Sequence, residues 1–161
     1  HSINDICIDG ISSNGLPCVP ERRSPYTRIF MHLGIHYLAE FFDCDRAKID
    51  DAALIEKVMI DAANLSAATI IRPFFHQFSP QGVSGVIVIA ESHFAIHTWP
   101  EHGYTAVDLF SCSDFDCKAA LNHIRITIGA KYCTMAQVRR GILTDSGEGS
   151  PAAWEDIDMK V

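Results

Sequence analysis

Hydrophobic and polar positions follow two different periods along this chain, and each change of period marks an element. GIHYLAEFF, Gly34 to Phe42, is compatible with a strand, and Cys44-Asp45 then predict a turn. Asp50 and Asp51 are candidate N-caps, and Ala53, Leu54, Val58, Ala62 and Leu65 recur at helical spacing. A helix is therefore expected from Asp51 to Ser66. Ala68 to Phe78 is β-branched and aromatic and predicts a strand, with Pro73 assigning it to an edge or a bulge. Ser79-Pro80-Gln81-Gly82 is turn chemistry. Val83 to Ala90 and His93 to Trp99 read as two more strands. Pro100-Glu101-His102-Gly103 turns the chain into Tyr104 to Ser111, where Thr105, Val107 and Leu109 alternate with Ala106, Asp108 and Phe110. After Asp114, a good N-cap, the positions Phe115, Ala119, Leu121, Ile124 and Ile128 predict a second helix that stops at Gly129. Lys131 to Arg139 is a final strand.

The order is strand, helix, a run of strands, helix, strand. Short connections within the run imply antiparallel pairing, and both helices are expected on one face of the sheet. The fold class is α/β (α+β), a two-layer sandwich. Its second sheet face stays apolar and open unless something covers it, and the simplest cover is a second copy, giving a homodimer. Residues 1–30 carry Ser, Asn, Gly, Pro and paired arginines without a sustained period, so a mobile N-terminal extension is expected there. The compact domain is expected over 31–143, with a loose polar tail over 144–161.

Composition narrows the classes. A chain of 161 residues suits one domain with a real core. The net charge is −7 and no Lys/Arg-rich stripe occurs, which argues against nucleic acid or an anionic membrane as partner. No apolar run is long enough to span a bilayer and no signal-peptide pattern opens the chain, so a cytoplasmic protein is expected. The six cysteines (Cys7, Cys18, Cys44, Cys112, Cys117, Cys133) contain no CxxC pair and read as reduced thiols. His93 and His97 form HxxxH in strand-like sequence; they are not expected to share a face, and no metal site is expected.

The segment from Val83 to Cys112 departs from simple patterning. Ser92, His97 and Cys112 sit within or beside apolar runs, where an unpaired polar group is costly. A serine here can be a structural hydroxyl, a hydrolase nucleophile or a site of backbone rearrangement. The hydrolase reading lacks the GxSxG elbow.

The stretch QGVSGVIVIAESHFAIHTWPEHGYTAVDLFSC resembles the small, prokaryotic-type, pyruvoyl-dependent S-adenosylmethionine decarboxylases, and the resemblance extends from about Gly34 to Gly141. It implies that the Ser92 hydroxyl attacks the carbonyl of Glu91, turning a peptide bond into an ester. β-Elimination then splits the chain and leaves a pyruvoyl group at residue 92, the cofactor. His97 matches the family's processing histidine, and Ser84 the serine that assists at the rearrangement. An imidazole is the side chain suited to moving protons near neutral pH. A Schiff base between the substrate amine and the pyruvoyl ketone would hold the electron pair left when CO2 departs. Cys112 matches the proton donor that quenches the carbanion.

The same resemblance implies a small-molecule substrate. Glu101 matches a residue that binds the nucleoside ribose, where a carboxylate accepts two hydroxyls. Phe78 and Trp99 are candidates for aromatic contact with adenine and the sulfonium, with Phe78 the better match for stacking. Ser113 departs from the glycine that commonly follows the cysteine. The expected function is a self-cleaving decarboxylase that supplies decarboxylated S-adenosylmethionine for spermidine synthesis. The alternatives are the same chemistry on arginine or ornithine, and a non-catalytic regulatory paralogue.

Overall fold

The computed structural model describes residues 7–8, 11–12, 31–90, 92–112, 116–143 and 154–155. The chain divides into two units, His1–Phe30 and Met31–Val161. In the first, strands β1 (Cys7–Ile8) and β2 (Ile11–Ser12) pair antiparallel.

The second unit opens on β3 (Met31–Phe42), followed by helices α1 (Arg46–Ile49) and α2 (Ala52–Leu65). Strands β4 (Ile70–Gln77), β5 (Val83–Ile89) and β6 (Ser92–Trp99) come next. A single 3₁₀ turn, Pro100–His102, leads into β7 (Tyr104–Ser111). Helix α3 (Cys117–Ile128) and strands β8 (Tyr132–Leu143) and β9 (Trp154–Glu155) complete the chain. Among the described residues the sheet has the order β4-β5-β6-β7-β3-β8-β9 with every pair antiparallel.

The expected elements are present, with shifted ends. Helix α2 is capped by Asp51, whose Oδ1 accepts from Ala53 and Leu54 N–H at 3.0 and 3.1 Å. Asp50, the other candidate cap, instead accepts from Gly82 N–H at 2.7 Å. Asp114 and Phe115 lie outside the described residues, and Asp116 caps α3 through Ala119 N–H at 3.0 Å. Helix α1 has no counterpart among the expected elements; Asp45 starts it by accepting from Ala47 and Lys48 N–H. Of the two readings for Pro73 the edge position holds: β4 is an edge strand, Pro73 pairs in register with Ile87, and the ladder's register shift falls before it, between Ile70 and Arg72. β3 begins at Met31 rather than Gly34 because Met31, His32 and Gly34 pair with Leu143, Ile142 and Arg140 of a correspondingly longer β8. The tail expected to be loose lies outside the described residues except for β9, which pairs with Gln137 and Val138.

Alternation decides which face each side chain takes. Val83, Ile87 and Ile89 of β5, Phe94 and Ile96 of β6, and Val107 and Leu109 of β7 are buried. They meet Ile55, Val58, Met59 and Ala62 of α2 and Ala120, Leu121, Ile124 and Ile128 of α3 in one core. Both helices therefore cover one face. Gly85 is part of this packing: an added Cβ would lie 2.0 Å from the Phe75 ring. On the other face the register aligns His76, Ser84, His97, Ala106, Glu40 and Thr134 in one row across six strands. That open face also carries Phe74, Val88, Trp99, Phe42 and Tyr132, all exposed.

Candidate active site

Ser92 opens β6 directly opposite Ile89, so only Ala90 and Glu91 lie between the two strands. Glu91 itself lies outside the described residues. The Ser92 side chain is half-buried, and its Oγ accepts from the backbone N–H of Cys112 at 3.3 Å. Antiparallel β6 and β7 create this meeting: His93 pairs with Phe110, which sets Cys112, just past the end of β7, beside the start of β6. Cys112 is exposed, whereas burial pushes the thiols of Cys44, Cys117 and Cys133 up.

Ser84 and His97 form a second group. They are directly paired across β5 and β6, and Ser84 Oγ lies 2.7 Å from His97 Nδ1. A hydroxyl and an imidazole at this distance can exchange a proton. Beside them, the His97 and Trp99 ring centroids are 6.3 Å apart, and Trp99 stacks obliquely on Tyr104 at 5.3 Å. Tyr104 donates its hydroxyl to Glu40; burial and this carboxylate push its pKa up to about 12. Phe78 is exposed and edge-on to His76 at 4.7 Å, at the open end of the same row.

Glu101 lies on the 3₁₀ turn after β6, and its Oε2 accepts from Gln81 Nε2 at 2.9 Å. The two border a 440 Å³ cavity with Arg46, Ala47, Asp50 and Pro100. Asp50 and Gln81 were not among the residues the sequence picked out for the site. A polar residue beside a turn glycine was the available signal, but turns favour such residues anyway.

The expected residues thus fall at two ends of the sheet. Ser92 and Cys112 share one end; Ser84, His97, Trp99, Phe78 and Glu101 share the other. Ser92 and His97 occupy the same strand five positions apart, which separates their Cα atoms by about 17 Å and directs the side chains to opposite faces. A single protomer does not bring the two together. His93 and His97 do share the open face, contrary to expectation, because four positions along a strand is an even step. That step leaves them about 13 Å apart.

One further cluster lies on the open face near Ser92. His36 is edge-on to His93 and Phe110, each at 5.9 Å, with its Nε2 3.7 Å from Asp108 and Arg140 beside it. Burial lowers the His36 pKa against the opposing pull of Asp108. Among the described residues no three His, Cys, Asp or Glu side chains are grouped to hold a metal ion. No helix there is long and apolar enough to cross a membrane.

A one-sided antiparallel sandwich thus sets a hairpin serine beside the Cys112 backbone at one end and a Ser–His pair at the other. Residues 35–141 match the family model described as S-adenosylmethionine decarboxylase. The chain is 48% identical over 122 residues to the S-adenosylmethionine decarboxylase proenzyme of Thermotoga maritima, covering 74% of this chain and 94% of that one. The proenzyme of Acetivibrio thermocellus is 47% identical over 114 residues, covering 70% and 92%. The crystal structure of the adenosylmethionine decarboxylase from Aquifex aeolicus matches with a TM-score of 0.64 at 35% identity, covering 74% of this chain and 98% of that one. This chain belongs to the S-adenosylmethionine decarboxylase family.

Proposed function

We propose that this chain is a self-cleaving, pyruvoyl-dependent decarboxylase of S-adenosylmethionine, working as a cytoplasmic homodimer and supplying the aminopropyl donor for spermidine synthesis. The observation that carries this reading is Ser92, held by Cys112 N–H at the hairpin between two strands, in a chain whose relatives are proenzymes. Cys44, Cys112, Cys117 and Cys133 are free thiols, which fits a reducing compartment.

Cleavage needs a hydroxyl next to a carbonyl and a base to move protons. Ser92 Oγ attacks the carbonyl carbon of residue 91; the new C–O bond replaces the C–N bond, which leaves an ester and a free amine. Loss of the Cα proton of residue 92 then breaks the Cβ–O bond and releases a carboxylate at residue 91. Water displaces ammonia from the remaining enamine to give the ketone. The residues present fit a group made at this position, since the Ser92 side-chain oxygen is already held by the Cys112 N–H. In turnover that carbonyl supplies an electron sink for the pair left by CO2. Cys112, exposed beside residue 92, returns a proton to the substrate carbon.

The separation of the two groups supports a dimer that does chemical work. Stacking two open faces in antiparallel sense sets the Ser84–His97 end of one copy over the hairpin end of the other, where Cys112 follows β7 and residue 92 is the first of its strand. His97, polarised by Ser84, then serves the scissile bond of the second copy, while Glu101, Phe78 and Trp99 reach a substrate held there. The same contact covers Phe42, Phe74, Val88, Trp99 and Tyr132, whose exposure in one copy is otherwise unfavourable.

Release of CO2 from S-adenosylmethionine, arginine and ornithine, compared at equal concentration on cleaved enzyme, tests the substrate. Turnover of S-adenosylmethionine is expected, with the two amino acids at background. Preferential release from arginine or ornithine would replace the substrate and leave the chemistry.

A further inference from the structure

Gln81 joins the turn that carries Glu101 to the rest of the fold. Its Nε2 donates to Glu101 Oε2 at 2.9 Å, and among the described residues it is the side chain that holds this carboxylate. The turn around Gln81 is well anchored. The next residue, Gly82, donates its N–H to Asp50 Oδ1 at 2.7 Å and accepts from Phe78 N–H at 2.8 Å. Gln77 Nε2 bridges Asp50 Oδ1 at 3.0 Å and Gly82 O at 3.2 Å, while its Oε1 accepts from Ala52 N–H at 3.1 Å. Gly82 has φ +99°, and a Cβ there would lie 3.1 Å from Thr98 O, so this tight turn needs glycine. The turn that carries Gln81 is thus tied through Gly82 and Gln77 to Asp50 and Ala52 at the start of α2, and through Val83 N–H to Thr98 Oγ1 at 2.8 Å near the end of β6.

A glutamate on an exposed turn has three free side-chain torsions, and fixing them on binding costs affinity. One hydrogen bond to Oε2 orients the carboxylate plane in advance and leaves Oε1 and a second lone pair for a ligand. The donor is a neutral amide, so it orients the carboxylate without forming an ion pair that would compete with a ligand. Arg46 borders the same cavity but does not take this oxygen.

We propose that Gln81 is a positioning residue for substrate recognition: it aligns the Glu101 carboxylate for the vicinal diol of the nucleoside. This rests on Glu101 as the ribose contact, and it assigns to Gln81 a role in affinity rather than in cleavage or turnover.

Steady-state kinetics of cleaved enzyme tests it. Gln81→Ala is expected to raise KM for S-adenosylmethionine about tenfold, with kcat within about twofold of wild type. Gln81→Glu sets two carboxyls against each other, and they bond only when they share a proton. Its KM is expected far above wild type near pH 8 and to fall back towards wild type as pH drops to about 6, relative to the wild-type profile. A merely structural role for Gln81 would give no such recovery. If Glu101→Ala raises KM while both Gln81 variants match wild type, the inference is overturned and the ribose contact stands. If Glu101→Ala also leaves KM unchanged, the ribose reading falls with it. Should Gln81→Ala fail to fold, a flat KM profile for Gln81→Glu overturns the proposal by itself.

Discussion

His36 shows how a single side chain on the open face couples to acidity. Its imidazole is mostly buried against His93 and Phe110, and burial lowers its pKa from the usual value, partly opposed by Asp108 and reinforced by Arg140 and His93. The unfolded chain therefore binds this proton at a higher pH than the folded one. As pH falls through about 6.5 the unfolded state gains the proton first, so stability present above that pH is lost on acidification. Urea unfolding at several pH values checks this. Between pH 7 and pH 5, His36→Gln is expected to flatten the fall in stability relative to wild type; an identical slope would mean that His36 is not responsible.

At the scale of elements, close packing between neighbouring strands leaves no slack at Gly85. Phe75 on β4 occupies the volume a side chain at 85 would need, with Cδ1 2.0 Å from an added Cβ. Gly85→Ala is expected to destabilise the fold by about 1–3 kcal/mol through forced displacement of Phe75. The urea midpoint should fall with an unchanged slope, and an unchanged midpoint would show that the ring moves freely. Some of this architecture could be read along the chain and some could not. β7 was legible to the residue because each of its positions alternates between core and open face. Helix α1 was not, since one turn gives no period, and β8 outran its local pattern because pairing with β3 extends it. Asp50 and Asp51 look equivalent as caps; only the fold shows that the first belongs to the Gly82 turn. The site residues were legible as a motif, but not their separation. Closeness in sequence becomes distance on an extended strand, and Ser92 and His97 stand at its two ends.

At the scale of the molecule, that separation and the exposed aromatic face fit the proposed pair of copies, in which each would complete the other's site. All of the proposed chemistry depends on self-cleavage between residues 91 and 92, and the mass of the denatured protein reports it. Wild type should give two pieces, residues 1–91 and 92–161, the second with a blocked N-terminus. Ser92→Ala and His97→Ala should each stay intact alone. Co-expressed, they should yield fragments from the His97→Ala chains, because the Ser92→Ala copy supplies the missing imidazole. Cleaved wild type with no fragments from the mixture would return the chemistry to one protomer. A wild-type chain that persists intact at its full mass would rule out self-cleavage and the pyruvoyl chemistry with it.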